Sequence, residues 1–213
     1  MLESLAMISS FSNFLVEEEH KTLHAFDMDE TLFSHDPEKL QVHVNDQHGN
    51  RVQSLSNQEF NKHTLPPDHS YDFSDFKSSA KLHQTARPIR KMIAKMKAIH
   101  NNGGKTAIVT ARADFDDQPH FSNFMNKYGI DINKIHVHRA GNMPGRPSET
   151  KKHVISGLIK KHGYKAVHLY DDSKENLAGF LSLKEHHPDV EFHAHHVHHD
   201  DTTNRTHIRT IKV

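Results

Sequence analysis

A chain of 213 residues, 34% apolar and 25% charged, is long enough for one α/β domain with room for an insertion over a modest core. Lys plus Arg and Asp plus Glu both number 27, so there is no basic excess of the kind a dedicated duplex binder carries, although a nucleotide or a strand end stays open as a ligand. Cysteine is absent, which removes disulfides, thiol nucleophiles and thiolate metal sites.

Residues 1–20 carry Ile8, Phe11, Phe14, Leu15 and Val16 and then Glu17-Glu18-Glu19 in place of a small-residue cleavage site, so a short amphipathic helix is expected and not a signal peptide. No run reaches the length of a membrane span, and a cytoplasmic protein is expected. Residues 21–26 read as the first strand, ending in Asp27-Met28-Asp29-Glu30-Thr31. Side chains alternate along a strand, so Asp27 and Asp29 can point into one site. Paired carboxylates repel unless a hard cation such as Mg²⁺ lies between them.

Residues 34–80 are polar and punctuated by Pro37, Gly49, Pro66 and Pro67. Alternation over 40–44 and 51–55 around a turn-rich 45–50 predicts a β-hairpin, and the segment reads as an insertion over the site. Its Tyr71, Phe73 and Phe76 are expected to form its own small core, with a base-stacking platform as the rival reading. Pro88 suits the first position of a helix whose face is Ile89, Met92, Ile93, Met96 and Ile99, closed by Gly103-Gly104. A buried strand over 105–110 ends at Thr110, with Arg112 just beyond it placed to hold substrate or a nearby carboxylate.

Phe121, Phe124, Met125 and Tyr128 line a further helix, and 134–138 is a strand followed by a Gly/Pro loop. Ser148 is expected to cap a helix that carries Lys151 and Lys152 in its first turn and stops at Gly163. A strand over 166–170 leads into Asp171-Asp172, and Ser173 caps the helix after it. Val190, Phe192 and Ala194 form a last strand, His186 to His199 reads as a solvated edge strand and loop, and the tail from Asp200 as irregular. None of the 23 histidines has an HExxH or other zinc spacing. Strands alternating with helices predict an α/β fold, a parallel sheet with helices on both faces.

Ligands of such a sheet sit at the carboxyl ends of its strands, where Asp27, Asp29, Thr110 and Asp171-Asp172 all fall. Asp27 suits a nucleophile that forms an aspartyl-phosphate, and Asp29 an acid for the leaving alcohol and a base for the attacking water. Mg²⁺ would bridge Asp27, the backbone carbonyl of Asp29 and one of Asp171 and Asp172. Thr110 would donate to the phosphoryl group, and Lys151 or Lys152 would offset its charge.

This ordered set resembles the haloacid dehalogenase (HAD) superfamily. The first motif, DxDx(T/V), matches Asp27 to Thr31; the second, Ile108-Val109-Thr110; the third, a lysine, Lys151 or Lys152; the fourth, Asp171-Asp172. The resemblance implies a Rossmann-like core, from 1–33 and 81–213, and a mobile cap in the slot filled by 34–80. It also implies a Mg²⁺-dependent phosphatase, since the second Asp of the first motif marks members that act on phosphate esters. The arrangement is similar to polynucleotide 3′-phosphatase domains and small nucleotidases, so a nucleotide or a terminal phosphate on a nucleic acid is the expected substrate. The rival readings are a phospho-acceptor signalling module and a non-catalytic phosphate-binding member.

Overall fold

The computed structural model describes residues 21–60 and 62–211, so the helix expected over 1–20 lies outside the described residues. A six-stranded sheet forms the centre, in the order β11-β10-β9-β1-β7-β8. Its strands are β1 (Thr22–Phe26), β7 (Lys105–Thr110), β8 (His136–Arg139), β9 (Ala166–Asp171), β10 (Glu191–Asp200) and β11 (Arg205–Ile211). The first five run parallel, and β11 returns antiparallel to β10. The chain winds from β1 to β7 and β8 on one side, then to β9 and β10 on the other. The strand order therefore reverses at β1, and the crevice of an open α/β sheet lies at the carboxyl ends beside such a reversal.

Alternation along the strands sends side chains to two cores. Phe26 and Ile108 join Met92 and Met96 of the helix Arg90–Asn101, and Phe121 and Phe124 of the helix Gln118–Lys127, on one face. Leu23, Ala25, Val167 and Leu169 join Ile155 and Ile159 of the helix Pro147–His162, and Leu177 and Phe180 of the helix Lys174–Leu181, on the other. Two expected helix starts move. Pro88 ends the short strand β6 (Ala86–Pro88), and its helix begins at Arg90, because β6 pairs with β2 (Phe33–His35) to close the base of the insertion. Ser148 lies inside its helix, which starts at Pro147 after Arg146; its hydroxyl donates to Glu175 at 3.3 Å instead of capping. Ser173 does cap, accepting from the Asn176 N–H at 3.3 Å, and Gly163 takes the left-handed turn expected of it, at φ 69°.

Above β2 and β6 the insertion forms its own antiparallel sheet, β4-β3-β5, from β3 (Val42–Asn45), β4 (Arg51–Leu55) and β5 (Ser70–Asp72). The first two are the expected hairpin. Phe60, Tyr71 and Phe73 pack edge to face or tilted, with ring centres 5.0 to 5.9 Å apart, whereas Phe76 leaves this cluster and lies over Arg112 at 5.0 Å.

The C-terminal expectations are corrected most. The tail from Asp200 turns and forms β11, and the histidine-rich run is an interior strand, β10. On one face, ring stacking joins His24 to His168 at 4.5 Å and His168 to His193 at 4.4 Å, with Tyr170 on His195 at 4.4 Å beside them. Burial, with help from Lys95, holds His24 down at about 4, His168 at about 3 and His195 at about 4. His168 Nδ1 and His195 Nε2 lie 2.9 Å apart and share a hydrogen bond, so these nitrogens are used within the row, which reads as packing. Among the described residues no helix is long and apolar enough to cross a membrane.

Candidate active site at the carboxyl edge of the sheet

The Asp27 N–H donates to the Tyr170 carbonyl at 2.9 Å, which carries the β1–β9 ladder one residue past β1 and sets Asp27 beside Asp171, the last residue of β9. Carboxylate oxygens of Asp27, Asp171 and Asp172 lie within 4.8 Å of one another. Asp27 and Asp171 are buried and Asp172 half-buried. After Asp27 the chain turns sharply: Leu32 and Phe33 both donate to the Met28 carbonyl at 3.0 Å, and Glu30 adopts φ 55°. That turn separates the two acids of the first motif. The Asp29 carboxylate stands outside the trio and is held by Arg112 and His35, with His35 Nε2 2.8 Å from Oδ1.

Burial separates the two candidate lysines. Lys151 is 1% exposed and donates to Asp171 Oδ2 at 2.8 Å, while its Nζ also stands 2.9 Å from Asp27 Oδ1. Lys152 pairs with Glu149 at 2.9 Å on the outer side of the same helix. The contact to Asp27 is an ion pair without hydrogen-bond geometry, and Asp27 Oδ1 is a buried oxygen with no hydrogen-bond partner. Burial pushes Asp27 well above the carboxylate range; Lys151 opposes the shift, and Asp171, Asp172 and Asp29 add to it. Asp172 is pushed up to about 8, by burial first and then by Asp171. For Lys151, burial acts against the charge, but Asp171 and Asp27 outweigh it and the ammonium is held. Three crowded, all-oxygen carboxylates against one ammonium suit a hard divalent cation such as Mg²⁺, whose charge would relieve that crowding.

Thr110 is fully buried at the end of β7, and its hydroxyl oxygen accepts the Arg112 N–H at 3.2 Å. Of the two readings of Arg112, the structure provides the carboxylate. Its Nε lies 2.9 Å from Asp29 Oδ2, its Nη2 2.7 Å from Oδ1, and its Nη1 donates to the Phe76 carbonyl at 2.8 Å. Burial would raise the Asp29 pKa, but Arg112 and His35 outweigh it and hold the carboxyl far below its ordinary value.

Three site residues escaped the sequence reading. Asn176 Nδ2 donates to Asp171 Oδ1 at 3.0 Å, beside the Ser173 N–H at 2.9 Å. His35, on β2, flanks Asp29, and His196 Nε2 donates to the Asp172 carbonyl at 2.9 Å. Only Asn176 carried a signal, as a polar residue on the buried face of a helix beside Leu177 and Phe180. No protein-family model matches the chain, and no curated protein matches it.

Proposed function

We propose that the chain is a HAD-like, Mg²⁺-dependent phosphomonoesterase of the cytoplasm, with a Rossmann-like core and a cap over 34–80, acting through an aspartyl-phosphate on Asp27. The observation that carries this reading is the trio of Asp27, Asp171 and Asp172, the first two buried, with Lys151 between those two. Asp27, Asp171 and Asp172 would hold Mg²⁺, which when bound supplies positive charge for the phosphoryl oxygens.

An Asp27 carboxylate oxygen attacks phosphorus, and the ester oxygen leaves with a proton from Asp29. Water then attacks the aspartyl-phosphate and gives its proton back to Asp29, releasing phosphate and free Asp27. Thr110 fits the part of phosphoryl donor, because its oxygen accepts from Arg112 and leaves the hydroxyl proton available. Lys151, held by Asp171, offsets the charge that builds up on the transferred group. Arg112 and His35 favour the ionised form of Asp29, the form that takes the proton from water. Protonating the leaving alcohol needs the other form, so the Arg112 grip has to loosen as substrate enters. The substrate class is a nucleotide or a nucleic-acid terminal 3′-phosphate.

Hydrolysis of p-nitrophenyl phosphate with Mg²⁺ tests the reading. Wild type turns over, and Asp27→Asn loses about 10³-fold or more in kcat. Equal rates in the two proteins remove Asp27 from the nucleophile's part.

A further inference from the structure

The catalytic edge continues sideways into a surface that the chemistry above does not use. Asp27 stands beside Asp171, Asp171 pairs with His196, and His196 pairs with Arg209, which makes one cross-strand row. Directly paired residues share a face of the sheet, so Arg209 lies on the same side as the carboxylate trio. Beyond this row β10 and β11 continue past the ends of the neighbouring strands as a two-stranded wall. Its next rows are His198 with His207 and Asp200 with Arg205. Arg205, His207, Arg209 and His198 are exposed.

Among the described residues neither guanidinium has an ion-pair or hydrogen-bond partner. Asp200, opposite Arg205, does not neutralise it by contact. Its carboxylate is used within the turn, where it accepts from the Thr202 N–H at 2.9 Å and the Thr203 hydroxyl at 2.8 Å. Two unpaired cations in a chain of zero net charge thus flank an exposed imidazole pair, on the face that leads to the site.

We infer that this wall binds the sugar-phosphate chain of a single-stranded nucleic acid whose terminal phosphate enters the carboxylate site. The inference rests on the phosphomonoesterase reading and narrows its substrate to a strand. Strand spacing puts the Arg209 backbone about 10 Å from that of Asp171, and Arg205 about 13 Å further along β11. The phosphates of one nucleoside polyphosphate are joined through single oxygens and lie much closer together than these backbone positions, whereas the phosphates of a strand repeat over a comparable length. Arg209 and Arg205 take internal phosphates, and the flat faces of His198 and His207 between them take a base by stacking. Duplex binding is not implied, because two cations are too few.

The test pairs turnover with direct binding. Turnover compares a 3′-phosphorylated oligothymidylate with thymidine 3′-monophosphate, for wild type and for Arg205→Gln/Arg209→Gln. The ratio of kcat/KM for the strand to that for the mononucleotide falls about 10-fold in the double variant. Binding uses fluorescence anisotropy of the labelled strand in the Asp27→Asn background. There the slope of log affinity against log salt becomes shallower by about 1.4, or about 0.7 for each lost phosphate contact. Absence of strand binding, or an unchanged slope in the arginine variant, overturns the wall as a strand site. Strand binding without turnover of either substrate overturns the phosphatase reading and leaves the wall standing. Efficient turnover of the mononucleotide with an unchanged ratio overturns the wall alone.

Discussion

Arg112 grips Asp29 through a two-pronged contact, Nε to Oδ2 at 2.9 Å and Nη2 to Oδ1 at 2.7 Å, and its third nitrogen reaches the Phe76 carbonyl of the insertion. One buried guanidinium therefore joins the second acid of the first motif to the element above the site. Removing one member of a buried ion pair strands the other, so Arg112→Ala is expected to destabilise by about 3–5 kcal/mol in urea denaturation. Asp29→Ala on that background adds less than it does alone, with a coupling of about 1–3 kcal/mol. Additive effects would mean that the contact carries no net energy.

Lys151 and Lys152 offer an internal control. Lys151→Met leaves Asp27 and Asp171 buried without their ammonium, and a loss of about 3–5 kcal/mol is expected together with loss of turnover. Lys152→Met breaks only a surface pair and changes stability by less than about 0.5 kcal/mol. Denaturation midpoints measured side by side decide the matter, and equal losses would contradict it.

Gly141 packs against the backbone that follows Thr110. An added Cβ would meet the Ala111 carbonyl oxygen and lie 2.6 Å from Arg112 C and 2.7 Å from Ala113 N. Backbone cannot swing aside as a side chain can, so Gly141→Ala is expected to cost about 1–3 kcal/mol and to displace Thr110 and Arg112, lowering kcat. Gly157, inside the helix that carries Lys151, has nothing within 4 Å of that position, and Gly157→Ala is expected to raise stability by about 0.5–1 kcal/mol. Thermal unfolding of both variants shows opposite shifts if the packing is as described.

The stacked histidines predict an acid-sensitive fold. Their ordinary value of 6.5 applies to the unfolded chain, whereas the folded protein holds His24 and His195 at about 4 and His168 at about 3. Between these limits the unfolded chain binds more protons, so stability falls as pH drops from about 6.5 toward about 3 and the histidine contribution levels off below that. Lys95, the cation facing this cluster from the helix above, adds to the same tendency. Urea midpoints from pH 7 to pH 4 should decline, and His168→Phe should flatten the decline. An unchanged slope in that variant would remove the row as its source.

Mg²⁺ should raise the thermal stability of the wild type, by about 2.7 kcal/mol at 100 times its dissociation constant. Asp171→Asn removes one charge of the trio and should abolish most of that gain. A Mg²⁺ shift equal in both proteins would place the ion elsewhere.

Local pattern was enough to read the alternation of strands and helices, the hairpin of the insertion, and the ends of β1, β7 and β9 with their acids and threonine. Each of these is written in neighbouring residues: periodicity makes the element, and a polar residue after an apolar run marks its edge. The tertiary structure alone chose Lys151 over its neighbour, because the two differ only in which side of a helix meets the sheet. It also turned Asp29 from the trio toward Arg112 and brought His35, Asn176 and His196 to the site across wide gaps in sequence. β11 was hidden for a different reason. An edge strand is held chiefly by backbone hydrogen bonds, and its outward side chains are polar like those of a loop. Composition marks burial, but the partner of a buried charge or of an edge strand is decided by the fold.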